Sequence, residues 1–215
     1  MNSLDHVAES FPEGVLAVDG PSERTLAAFA ASGAAVFAEI GVYEGDTTLR
    51  IAEHLGGRGE LHLFDFDDRL DVVMGRLGAA GHRNGIAHPN SRKIMDSYNW
   101  SLMRLLEARR EPLFEYVYLD GVHTWGVDAL AFLLIDRLLK PGGLIEFDDY
   151  HWTIQDSPSM NPRVFPAADR LYTPEQIESP QVALVVDLLV RGDPSYQEID
   201  QNRLFRKRGR LPGAP

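Results

Sequence analysis

Four short apolar runs, at residues 34–40, 61–64, 114–119 and 144–147, stop on a glycine or an acid: Gly41, Asp65, Asp120 and Asp148-Asp149. Runs of this length suit strands buried on both faces, and such strands need helices to cover them. Helical patterns lie between them. Thr48, Ile51, Ala52 and Leu55 share a face that Gly56-Gly57 stops. Val127, Leu130, Leu134 and Leu138 form a stripe that Lys140-Pro141-Gly142-Gly143 ends, because proline cannot continue a helix and glycine accepts a left-handed cap. A weaker strand is expected at 91–95. This alternation predicts an α/β fold: a Rossmann-like, doubly wound, mostly parallel sheet, with 1–215 as a single domain.

Charge narrows the partners. Lys plus Arg is 21 and Asp plus Glu is 32, a formal charge of −11. Nucleic acid is therefore not an expected partner, since phosphate affinity needs surplus cations, and an anionic membrane surface is disfavoured likewise. No stretch approaches the roughly 18 unbroken apolar residues of a membrane span. Residues 1–10 carry Asp5 and Glu9 but no Lys or Arg, unlike a secretory signal. The expected location is cytoplasmic. With no cysteine in the chain, disulfides, thiolate zinc, iron–sulfur clusters and a cysteine nucleophile are excluded.

The last third changes character. Residues 151–172 are rich in Pro, Ser, Asn and Asp, and a connection of that length reads as an acceptor loop or lid. Thr173-Pro174-Glu175-Gln176 reads as a capping box, Ser179-Pro180 restarts that helix, and Gly192-Asp193-Pro194 ends it. Residues 196–207 suit a closing pair of strands. The basic stretch 206–210 reads as solvated, and 209–215 as a flexible tail. Apolar residues in 26–37 suit either core or a dimer surface, so a homodimer stays open.

Ligands of a doubly wound sheet bind beyond the carboxyl ends of its strands. The first such loop offers Glu39, Gly41, Tyr43, Gly45, Thr47 and Thr48 as candidate cofactor residues. Gly41 and Gly45 permit a tight turn, and Thr47 and Thr48 sit where free N–H groups open a helix. Tyr43 stands where a dinucleotide fingerprint has its middle glycine. Glu44 and Asp46 would repel a pyrophosphate yet tolerate a sulfonium, which favours S-adenosylmethionine over NAD. Asp65, about twenty residues on, is placed to accept ribose hydroxyls, with Asp67 and Asp68 as competitors. Asp96 and Ser97 are candidates beside an adenine. An ordinary βα turn with surface acids is the bland alternative.

Asp120, Asp148 and Asp149 would converge on the same rim if their strands are neighbours. Three close carboxylates repel one another unless a cation is present, and an oxygen-only donor set suits Mg²⁺, with Mn²⁺ or Ca²⁺ as substitutes. His123, three residues past Asp120, is an available base near neutrality. A helix cap at Asp120 and a solvated turn at 148–149 are the competing assignments.

Together these residues resemble a class I S-adenosylmethionine-dependent methyltransferase. The likeness runs from about residue 20 to 207 and is carried by 39–48, Asp65, Asp120-Gly121-Val122-His123 and the Lys-Pro-Gly-Gly turn. Asp120-x-x-His123 with Asp148-Asp149-Tyr150 is similar, more narrowly, to the magnesium-dependent sugar O-methyltransferases. These include the macrocin and mycinamicin types and a mycobacterial mannoside enzyme of polymethylated polysaccharide synthesis. Several such relatives carry Glu-Asp where this chain has Asp148-Asp149. The resemblance implies that Asp120, Asp148 and Asp149 hold the metal, that Asp120 also serves catalysis and the cofactor site, and that His123 is the general base. It also implies that Glu39, Gly41, Thr47 and Asp65 hold the methyl donor. Tyr150, Trp152, Arg163 and Tyr172 are then candidates for binding a sugar or glycoside acceptor. A catechol or other aromatic diol acceptor, a nicotinamide-dependent oxidoreductase and a non-catalytic nucleotide module are the alternatives.

Overall fold

The computed structural model describes residues 20–209. Helix α1 (Pro21–Ser32) precedes a regular alternation: β1 (Val36–Ile40), α2 (Asp46–Leu55), β2 (Glu60–Phe66), α3 (Asp67–Ala79), β3 (Gly85–Asn90), α4 (Tyr98–Ala108), β4 (Phe114–Leu119), α5 (Trp125–Leu138) and β5 (Leu139–Phe147). Short helices α6 (Ala168–Leu171), α7 (Pro174–Glu178) and α8 (Gln181–Val185) follow, and a π-helical stretch, Val186–Val190, extends α8. Strands β6 (Tyr196–Asp200) and β7 (Leu204–Lys207) close the sheet.

The seven strands lie in the order β3-β2-β1-β4-β5-β7-β6. The first five are parallel, β7 runs antiparallel to β5, and β6 antiparallel to β7. Strand β1 pairs with both β2 and β4, so the winding reverses there and the two loops diverge, which opens a crevice at the carboxyl ends. Side chains alternate across the pleat. Phe37, Leu63, Tyr116 and Tyr118 join α1, α2 and α3 in one core cluster, while Ile40, Phe64, Val117 and Leu119 join α4, α5 and α8 in the other. Within the 26–37 stretch, Ala28, Phe29 and Phe37 are buried as core.

Several expectations on elements are corrected. Residues 91–95 form a turn rather than a strand, and β3 lies earlier. Its sequence, Gly-Ile-Ala-His-Pro-Asn, is weakly apolar because β3 is an edge strand, where Pro89 is tolerated. Strand β2 runs past Asp65 to Phe66. Helix α5 does stop before Lys140, but the chain passes directly into β5, with a register shift between the Phe114 and Tyr116 pairs. The face of α5 is also rotated: Ala131, Phe132, Ile135 and Leu138 are buried, whereas Leu130 is 48% exposed. The basic stretch begins inside β7, where Lys207 Nζ lies 2.9 Å from Asp136 Oδ1. The Thr173–Gln176 capping box is present. Residues 1–10 and, apart from Gly209, the expected tail lie outside the described residues. Among the described residues no helix is long and apolar enough to cross a membrane.

Candidate active site

Ladder hydrogen bonds bring three strand ends level. Gly41 N donates to Phe64 O at 2.8 Å, Asp120 N to Ile40 O at 2.9 Å, and Asp148 N to Leu119 O at 3.1 Å. The loops after β1 and β4 touch: Gly41 has φ +87°, and any Cβ there would overlap the Asp120 carbonyl, so only glycine is accommodated. Asp65 locks the first loop from beside it. Its Oδ2 accepts from Val42 N and Tyr43 N, each at 2.9 Å, and its Oδ1 from Phe66 N at 2.7 Å.

A cleft of about 1050 Å³ opens on these ends. Of the candidate donor residues, Gly41, Tyr43, Asp65, Asp96, Ser97 and Asp120 line it. Asp67 and Asp68 do not, and Asp68 pairs with Arg92 at 2.8 Å. Asp96 accepts from both N and Oγ of Ser91 at 2.7 Å, and Ser97 caps α4. Glu39, Gly45, Thr47 and Thr48 lie behind the loop. Thr48 donates to Glu39, Thr47 Oγ1 meets Ser22 Oγ at 2.8 Å, and Gly45 backs onto Val73. Burial pushes Glu39 up to about 8, with the charges of Asp120 and Asp65 adding to it against the Thr48 hydrogen bond. Asn90 and Asn99, which the sequence did not mark, also line the cleft, and each has a buried Oδ1 without a hydrogen-bond partner.

Asp120, Asp148 and Asp149 all line this cleft. Burial and then the charges of Asp120 and Asp149 raise Asp148 to about 6. Arg203 opposes that shift, and the oxygen-only donors of the three acids are of the kind that suits a hard divalent cation. The three are not closed into a cage: among the described residues, no group of three or more His, Asp or Glu stands as a metal-holding set.

His123 stands between two of these acids, nearer to Asp120, and does not itself line the cleft. Its Nε2 lies 3.1 Å from Asp120 Oδ1, its Nδ1 lies 3.9 Å from Asp149 Oδ2, and its ring centroid is 5.3 Å from that of Trp152. Burial pushes its pKa down, but the Asp120 hydrogen bond and the charges of Asp120, Asp128 and Asp149 outweigh burial, and the net direction is upward. Tyr43, His123 and Asp149 have φ of 51°, 58° and 54°. Left-handed non-glycine residues are costly and gather at functional sites.

The acceptor candidates separate. Tyr172 lines the large cleft, and Tyr150 and Trp152 line a second cavity of about 450 Å³ that shares Asp148 and Asp149 with the first. Arg163 is exposed and lines neither. Tyr98 and Asp128, buried beneath the 121–123 turn, were missed by sequence reasoning. The available signal was an acid inside the otherwise apolar stretch Val-Asp-Ala-Leu-Ala-Phe.

A mostly parallel sheet in this order, with its cleft along the carboxyl ends, matches the class I S-adenosylmethionine-dependent methyltransferase fold. The chain belongs to the methyltransferase-domain family, whose model matches residues 38–150. Solved structures share its fold. The O-methyltransferase from Bacillus cereus in complex with SAH has a TM-score of 0.58 at 14% identity, over 97% of this chain and 92% of that one. TomG from Streptomyces achromogenes, an O-methyltransferase involved in tomaymycin synthesis and solved with SAM, has a TM-score of 0.56 at 15% identity, over 97% and 91%. The SAH-bound methyltransferase PaMTH1 from Podospora anserina has 0.58 at 15%, over 95% and 85%. No curated protein matches the chain by sequence.

Proposed function

We propose that this methyltransferase is Mg²⁺-dependent and methylates a hydroxyl oxygen of a sugar or glycoside. The observation that carries the reading is the position of His123, hydrogen-bonded to Asp120 beside a cleft that Asp120, Asp148 and Asp149 all line. The donor nucleoside belongs between the Gly41–Tyr43 loop, Asp65 and the 96–97 turn, which all line the cleft. Asp120, Asp148 and Asp149 would hold the cation, which supplies charge that acidifies an acceptor hydroxyl.

The proton has a defined destination. An ionised Asp120 only accepts, so in the neutral imidazole Nε2 carries the hydrogen and Nδ1 is free to take one. The acceptor oxygen loses its proton to Nδ1 and attacks the sulfonium methyl. An O–C bond forms, the C–S bond breaks, and the electron pair returns to sulfur. Positioning and charge do most of the work. The second cavity favours a hydroxyl-rich acceptor: Arg24, Tyr150, Trp152 and Asn202 line it beside Asp148 and Asp149.

The test is a screen of sugars and glycosides against catechols with a labelled methyl donor. Label is expected on a sugar hydroxyl, to be abolished by EDTA and restored by Mg²⁺, and Asp149→Ala is expected to lose about 100-fold or more in turnover. Turnover indifferent to EDTA removes the metal, and transfer to catechols alone removes the sugar.

A further inference from the structure

We infer that Tyr98 and Asp128 are positioning residues, a buried pair that holds the 121–123 turn and so sets where the His123 imidazole stands. The inference rests on reading His123 as the base. Neither residue belongs to the carboxylate cluster, and they come from different helices, Tyr98 from the start of α4 and Asp128 from the first turn of α5.

The contacts are specific to that turn. The Tyr98 hydroxyl donates to Asp128 Oδ1 and accepts from Val122 N at 3.2 Å. The backbone N–H of His123 faces the Asp128 carboxylate and favours its anion. The pair therefore bonds one backbone donor of the turn and lies against the next. Both side chains are buried, at 5% and 2% exposure, and Tyr98 also forms part of the wall of the large cleft. The turn is packed against them: a Cβ at Gly121 would lie 2.8 Å from Asp128 Oδ1 and would overlap the Tyr98 hydroxyl.

The turn needs such restraint. His123 has φ 58°, a conformation that a non-glycine residue keeps only when its surroundings over-determine it. From that backbone conformation the imidazole reaches Asp120 on one side and approaches Asp149 on the other. A pair that merely capped α5 would bond N–H groups within that helix. Here the Tyr98 hydroxyl accepts from Val122 and the Asp128 carboxylate faces His123, both ahead of the Trp125 start.

The experiment compares Tyr98→Phe, Asp128→Ala and the conservative Asp128→Asn in the full chain, by amide hydrogen exchange and steady-state kinetics. Exchange at 122 and 123 is expected to accelerate about tenfold or more in Tyr98→Phe and Asp128→Ala, while the rest of α5 stays protected. Turnover per folded molecule is expected to fall about 10- to 100-fold with acceptor KM within about threefold, because a small misplacement of a reacting group costs rate rather than binding. Asp128→Asn, which keeps an acceptor oxygen, is expected to recover part of both. Unchanged exchange in the turn overturns the inference, as does a loss of activity accounted for entirely by loss of folded protein. The exchange measurement needs no acceptor. A fully active His123→Ala would overturn the base reading, and with it the catalytic part of this inference, while exchange separately decides whether the pair holds the turn.

Discussion

Asp65 illustrates how one side chain acquires a role no motif describes. The sequence marks it as an acid at a strand end, ready for ribose hydroxyls. In the fold its Oδ2 holds two successive amides of the β1 loop, and Arg69 Nη1 stands 3.5 Å from Oδ1. It shapes the donor site before touching a donor. Hydrogen bonds to an ionised group are each worth about 1.5–3 kcal/mol, so Asp65→Ala is expected to weaken S-adenosylmethionine binding by about 10- to 100-fold. Calorimetric titration reads this directly, and an unchanged Kd would show that the loop holds its shape alone. Glu39, Thr47 and Thr48 teach the converse. Their spacing placed them on the right loop, but the direction of their side chains, toward the protein interior, depends on α1 and α2 packing behind them.

At the scale of elements, α5 shows why periodicity is an incomplete guide. A helix of nearly continuous apolar residues offers more than one plausible stripe. The face that sinks is the one meeting the strands, carrying Ala131, Phe132 and Ile135, while Val127, Leu130 and Leu134 turn toward the cleft. Ile135→Ala is expected to destabilise by about 2–5 kcal/mol and Leu130→Ala by less than about 1 kcal/mol. Denaturant melts of the two variants check the assignment, and equal losses would contradict it. Strand β3 escaped notice for a related reason. An edge strand is half-covered, so His88 and Pro89 leave no apolar signature.

For the whole molecule, burial of charge couples folding to pH. Glu39 titrates near 8 in the fold because burial penalises its anion, against an ordinary value of 4.5. A raised folded pKa means that the native state binds the proton more tightly. Its contribution is complete below the unfolded value and is lost as pH rises through the folded one. Glu39→Gln, neutral at all pH, is therefore expected to flatten the fall in Tm expected of the wild type between about pH 4.5 and 8. Parallel Tm curves for the two proteins across that window would refute the protonated carboxyl. A second buried acid, Glu146, is also pushed up by burial, against the opposing charge of Arg203 and several hydrogen bonds. Thr25, Tyr116 and Arg203 all bond it, tying α1, β4, β5 and the β6–β7 turn together across the sheet.

Local chemistry, readable residue by residue, was enough to mark strands β1, β2, β4 and β5, helices α2 and α5, the loop glycines and the acids near three strand tips. Apolar period, proline and glycine act within a few residues of themselves, so a linear reading captures them. Strand order, the meeting of Gly41 with Asp120, the split of Tyr150 and Trp152 into a second cavity and the Tyr98–Asp128 support under His123 arose from contacts between distant segments. Those depend on which faces of the sheet the helices cover and on how deeply each polar group is buried, and burial is a property of the packed molecule rather than of any stretch of chain.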